Sequence, residues 1–148
     1  MYKYLILFFW SFLAATFFPV SSEVYMAEMI RSGNHAGLMS IVLVATAGNV
    51  LGGLVTFYMG WKGGELAARK MSEKNRKRYE KAEKAIKKWG VYSMALSWVP
   101  FVGDVIVLLG GAFKLPPLQS AFWLAVGKFL RYLVFAFSVA GILDKFLN

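Results

Sequence analysis

The sequence predicts an all-α integral membrane protein assembled from two related units, and three observations carry that expectation. Of its 148 residues, 58% are hydrophobic and 17% aromatic, above the roughly 45–50% apolar content of soluble domains. Residues 36–61 form an uncharged run of 26 positions, long enough at about 1.5 Å per residue to cross a ~30 Å hydrocarbon core. Finally, Pro19-Val20-Ser21-Ser22-Glu23 and Pro100-Phe101-Val102-Gly103-Asp104 each set a proline four positions before a carboxylate, 81 residues apart.

The echo continues downstream, where Gly48, Leu51, Leu54 and Val55 recur as Gly127, Leu130, Leu133 and Val134 at a shift of 79. Duplicated, proline-interrupted hydrophobic segments in a membrane protein point to a central binding or transport site. The expected organisation is one domain over 1–148, with repeat one at 4–61, a basic linker helix at 62–88 and repeat two at 89–145.

Residues 4–18 are apolar but only 15 long, about 22 Å of helix and short of a full span. A secretory leader has a similar outline. The aromatic crowding of Phe8, Phe9, Trp10, Phe12, Phe17 and Phe18 and the internal counterpart at 89–104 favour a retained segment instead. Pro19 then removes a backbone donor and biases its predecessor away from helix. A helix, a break at membrane depth and a short returning helix would make a re-entrant hairpin, with a kinked full span as the alternative.

The run 36–61 is the first expected transmembrane helix. Its Gly48-x-x-x-Gly52 and Gly60-x-x-x-Gly64 steps offer a small-residue stripe for close helix approach, and Asn49 is its one strongly polar interior group. From Glu65 to Trp89 a charged helix is expected. Four acid-first i,i+4 pairs support it: Glu65/Arg69, Glu73/Lys77, Glu80/Lys84 and Glu83/Lys87. Tyr79, Ala82, Ile86 and Trp89 form one apolar edge, suited to lying on headgroups or to a merely solvated connection.

Repeat two begins with nine uncharged residues at 91–99, about 13 Å of helix that reaches only mid-bilayer. Pro100 and Gly103 break it beside Asp104, and Lys114-Leu115-Pro116-Pro117 closes the segment. Residues 118–143 form the last expected helix, with Lys128 and Arg131 near its centre. The short half-helices favour repeats inverted relative to one another, with their broken tips meeting near the midplane. Lys3 and Lys145 favour a parallel pair that crosses twice per repeat.

Charge narrows both placement and function. Of the net +9, +7 falls within 62–88, which holds eleven Lys/Arg against four Glu. Flanked by apolar spans, this loop fits the positive-inside rule and so the cytoplasmic face of a membrane, not a nucleic-acid surface. There is no cysteine, and the single histidine, His35, lies in a polar junction. No metal site, cofactor or nucleophile–base pair is expected, and hence no enzyme.

The remaining candidates are charges in apolar surroundings, each costly at the helix centre by about 2.5–3.5 kcal/mol. Burial raises a carboxyl group's affinity for protons, which makes Glu23 and Asp104 candidate proton carriers. Arg131 and Lys128 are candidate partners for a phosphate or other anion. The alternative is a structural ion pair such as Asp104–Arg131. Pro19, Pro100 and Gly103 are the candidate hinges. Glu28 and Arg31 are expected to face solvent.

These residues resemble the DedA family, also called VTT-domain or SNARE-associated membrane proteins, and within it the small YqaA-like branch. Pro19 and Glu23 match the first proline and the acid of the family's Pro-x-Pro-Gly-Glu pattern, with Ser21 and Ser22 replacing its second proline and glycine. Asn49, Gly52, Tyr58, Gly60 and Gly64 resemble the pattern of the following helix, and Trp98-Val99-Pro100 that of the second re-entrant segment. Many members carry arginines around that second proline, where this chain has Ser97 and Gly103, so the phosphate role of those arginines does not transfer. The resemblance implies a lipid flippase or scramblase, acting on a phospholipid or a polyprenyl phosphate such as undecaprenyl phosphate, and linked to protons. A non-transporting scaffold or envelope-maintenance factor is the alternative. A homo-oligomer is compatible with either.

Overall fold

The computed structural model describes residues 2–16, 21–32 and 37–147. Six α-helices and one 3₁₀ segment account for it: α1 (Tyr2–Thr16), α2 (Ser21–Arg31), α3 (Leu38–Arg69), α4 (Glu73–Trp89), the 3₁₀ segment (Gly90–Trp98), α5 (Val102–Ala112) and α6 (Pro117–Leu147). Two helices, over Leu38–Arg69 and Pro117–Phe146, are long and apolar enough to cross a membrane. Helices α1 and α2 lie on either side of the first expected break; Pro19 itself, like His35, falls outside the described residues.

Helix α3 organises the fold through its glycines, and each GxxxG step receives a different helix. A Cβ on Gly48 would strike the Phe8 carbonyl of α1, and one on Gly52 would lie 2.7 Å from Ala15 Cβ. Towards the other end, a Cβ on Gly60 would strike the Leu108 carbonyl of α5, and one on Gly64 would lie 2.6 Å from Ala112 Cβ. The small-residue stripe read from the sequence is thus two seats on one helix. Gly127 of α6 does the same for the 3₁₀ segment, where a Cβ would lie 2.7 Å from Ser97 Oγ. Gly48 and Gly127 are the pair related by the shift of 79.

The packing is interleaved. Helix α1 lies along α3 and the 3₁₀ segment along α6, while α5 packs on α3 and α2 packs on α6. Helices α3 and α6 also contact each other. Two cores result. Leu7, Met26, Ile30, Ile41, Val42 and Tyr132 anchor one, joining α1, α2, α3 and α6. Phe57, Ile86, Met94, Val107, Phe113 and Leu124 anchor the other.

Three local expectations are corrected. The charged helix is not continuous from Glu65: α3 runs on to Arg69, and α4 starts only at Glu73 after Ser72 in an extended conformation (φ −66°, ψ 156°). The nine residues Gly90–Trp98 ahead of the break are 3₁₀ rather than α-helical. At about 2.0 Å per residue they reach roughly 18 Å instead of 13 Å. The turn at the break is made by Phe101, not by Gly103. Phe101 has φ 63° and ψ −55°, and the Val102 N–H donates to the Pro100 carbonyl at 2.7 Å, which closes a γ-turn around a bulky residue. Gly103 serves close approach, since a Cβ there would lie 2.7 Å from Ser97 Cα.

The apolar edge of α4 is used within the protein. Ile86 is buried in the second core, and Tyr79 packs edge-on against Phe113 with ring centroids 4.9 Å apart. Of the four expected acid-first pairs the structure closes Glu83–Lys87, at 2.6 Å, while Glu80 turns back to Arg76 at 3.3 Å. Exposed pairs of this kind contribute little, so apolar docking holds α4 in place. Ile86→Ala is therefore expected to cost about 2 kcal/mol and to speed limited trypsin cleavage within 62–88, read against thermal unfolding in detergent.

Candidate functional site

The four charges singled out in the sequence meet as two ion pairs on α6. Glu23 is the third residue of α2 and Asp104 the third residue of α5. Each carboxylate therefore sits in a first helical turn, where unpaired backbone N–H groups and the helix dipole favour negative charge. Lys128 and Arg131 lie three residues apart on α6 and so project from neighbouring positions on its surface. The starts of α2 and α5 converge on that patch.

The pairing differs from the anticipated Asp104–Arg131 contact. Lys128 Nζ donates to Asp104 Oδ1 at 2.7 Å, and Arg131 Nε donates to Glu23 Oε1 at 2.8 Å. Arg131 Nη2 donates to the same Oε1. The guanidinium thus converges on one oxygen instead of forming a parallel fork, and Glu23 Oε2 takes no part in the pair. Lys128 is the most deeply placed charge, with 1% of its side chain exposed against 24% for Asp104; Arg131 and Glu23 keep 10% and 26%. Both pairs remove the cost of lone charges in apolar surroundings, and both leave the acid as the more accessible partner. Glu28 and Arg31 pair with each other on the exposed surface, as expected.

A cavity of about 360 Å³ opens beside the second pair, lined by Glu23, Trp98, Pro100, Leu130, Arg131, Val134, Phe135 and Ser138. It brings Glu23 of α2 and Pro100, just ahead of α5, into one space. Its walls are apolar apart from the ion pair and Ser138. Asn49 lies elsewhere, on the α1–α3 contact, where its Nδ2 donates to the Ser11 carbonyl at 3.0 Å.

Sequence reasoning missed the polar contacts that hold this region together. Ser22 and Tyr132 are both about 1% exposed, and their hydroxyls lie 3.0 Å apart. They are the chain neighbours of Glu23 and Arg131, so the contact fixes α2 on α6 beside the ion pair. Ser97 is fully buried and donates to the Leu124 carbonyl at 3.3 Å. A signal for the first contact was present: Ser21-Ser22 stands where the resembling pattern has proline and glycine, and a serine entering an apolar site needs a partner.

The profile of the VTT domain matches residues 18–141, which takes in both ion pairs. The chain belongs to the VTT-domain family. Among curated proteins this VTT-domain chain is 39% identical over 127 residues to the inner membrane protein YqaA of Escherichia coli, covering 85% of this chain and 83% of YqaA. It is 31% identical over 135 residues to an uncharacterized protein of Haemophilus influenzae, covering 86% and 81% of the two chains. It is 29% identical over 141 residues to the membrane protein YbfM of Bacillus subtilis, covering 90% and 86%. No solved structure matches. With two spans long enough to cross a bilayer, this member of the DedA group is an integral membrane protein of the YqaA-like kind.

Proposed function

We propose that the protein is a lipid transporter of the inner membrane, a flippase or scramblase rather than an enzyme, in which the carboxylates exchange protons and the α6 bases receive an anionic headgroup. The observation that carries this reading is the partly accessible Glu23–Arg131 pair at the edge of an apolar cavity. Apolar walls suit acyl or prenyl chains, and the guanidinium suits a phosphate. In the resting state Glu23 satisfies Arg131. Protonation of Glu23 releases the guanidinium to an arriving headgroup, and return of the carboxylate displaces it. The Asp104–Lys128 pair follows the same logic from α5.

The interleaved packing supports inverted repeats. Each long helix holds the first short segment of its own half and the second short helix of the other half, the exchange expected of halves related by a pseudo-two-fold axis. In this arrangement the α1–α2 hairpin and its counterpart, the 3₁₀ segment with α5, are re-entrant. The basic stretch 62–88 then faces the cytoplasm by the positive-inside rule.

The test is lipid translocation by purified protein in vesicles under an imposed proton gradient. Glu23→Gln keeps shape and hydrogen-bonding capacity but cannot titrate, and it is expected to lower translocation at least tenfold while protein yield in the membrane is unchanged. Wild-type protein that moves no lipid, or a Glu23→Gln variant as active as wild type, would refute the mechanism. The closure of both ion pairs favours one second reading, a scaffold in which all four charges are structural.

A further inference from the structure

We propose a second lipid site on the protein, an interfacial seat for one phospholipid with an anionic headgroup, built from the end of the apolar run of α3 and the start of α6. It lies away from the ion pairs and does not depend on their role.

A cavity of about 400 Å³ is lined by Leu54, Phe57, Tyr58, Trp61, Lys62 and Pro117. The five α3 residues follow at spacings of three, one, three and one, which is a single helix face. That face is graded along its length. Leu54 and Phe57 lie within the uncharged run, Trp61 is its last residue, and Lys62 is the first charge beyond it. Trp and Tyr are the side chains that favour the headgroup level, where an apolar ring meets a wet edge.

The cations gather at the outer end only. Lys62 Nζ lies 5.8 Å from the centre of the Tyr58 ring. Lys114 Nζ lies 4.8 Å from the centre of the Trp61 ring and donates to the Trp61 carbonyl, which holds a second ammonium beside the rim. Pro117 places the start of α6, the positive end of a 31-residue helix, in the same wall. Among the described residues no acid lines the cavity, and Glu65 lies one turn farther out on α3.

An apolar slot with a cationic, aromatic rim matches a phospholipid with acyl chain inward and phosphate at the lysines. A free anion would leave the slot empty, and a neutral lipid would gain less from the two ammonium groups. The basic helix α4, docked through Tyr79 on Phe113 next to Lys114, adds positive potential at the same end.

The test titrates the delipidated full chain with phosphatidylglycerol or phosphatidylcholine of identical acyl chains and follows adducts by native mass spectrometry. One phosphatidylglycerol should bind at least about tenfold tighter than phosphatidylcholine. Lys62→Gln, an exposed position that leaves thermal unfolding unchanged, should lower that preference about fivefold. Lys74→Gln on α4, which removes only part of a diffuse potential, should lower it less than about twofold. Equal affinity for the two lipids would overturn the proposal, and so would equal losses in Lys62→Gln and Lys74→Gln. Displacement of the lipid by inorganic phosphate at matched concentration would reduce the seat to a simple anion site and overturn the lipid assignment.

Discussion

Asp104→Asn is expected to destabilise the protein by about 3–5 kcal/mol, because it strands a buried lysine without its counter-charge. Lys128 is 1% exposed, and its ammonium reaches the Asp104 carboxylate at 2.7 Å. The neutral amide preserves shape, so the loss reports the missing charge and not a cavity. The double variant Asp104→Asn with Lys128→Met removes both charges and is expected to recover most of that stability, since a buried pair replaced by neutral groups of similar volume is often near neutral. Thermal unfolding in detergent provides the readout. The double variant also separates the two functional readings: stable protein that no longer translocates lipid assigns the pair to transport, and recovery of both together assigns it to structure.

Gly111→Val should be nearly as damaging, by about 3 kcal/mol or more, through a steric mechanism. A Cβ on Gly111 would strike the Phe57 carbonyl of α3 and approach the Trp61 nitrogen to 3.0 Å. These are backbone atoms of a long helix, so the added side chain fits only if α5 moves away from α3, which opens the second core. Gly63 supplies the control. It stands next to Gly64 on α3, yet a Cβ there meets nothing within 4 Å. Gly63→Ala is expected to be neutral or stabilising by up to about 1 kcal/mol, from helix propensity alone. Equal losses at the two positions would show that the α3–α5 contact is not the tight one described.

Particular elements show what was legible in the sequence. The two long helices were, because uncharged length is a one-dimensional property and hydrocarbon thickness sets its scale. The stripe of glycines on α3 was legible as a place of close approach, but its division between α1 and α5 was not, since spacing says that something fits and not which helix. The four charges were found because each is expensive where it stands. Their pairing was misjudged because partner choice depends on which short helix reaches which turn of α6, a tertiary fact. The linker failed for a similar reason: its i,i+4 charges fit one continuous helix, yet the chain breaks at 70–72 so that Ile86 and Tyr79 can dock. The Ser22–Tyr132 contact was visible only as an out-of-place serine. The γ-turn at Phe101 left no signal beyond the neighbouring proline, because phenylalanine rarely adopts positive φ.

The interleaving of the short helices sets an order of events during synthesis. Helix α2 finds its seat on α6, and Glu23 finds Arg131, 108 residues later in the chain. At a translation rate of about 5–20 residues per second, the carboxylate waits roughly 5–20 s for its counter-charge. Until then the amino-terminal half has α1 settled on the glycines of α3 and α2 beside them, but lacks the third helix against which α2 packs. It is a half-finished object, exposing a face of α2 and the Glu23 carboxylate that something else must shelter, whether headgroups, water or an insertion factor. Arrival of α6 then supplies both bases at once and locks α2 and α5 in a single step, so the last helix made is the one that completes both halves.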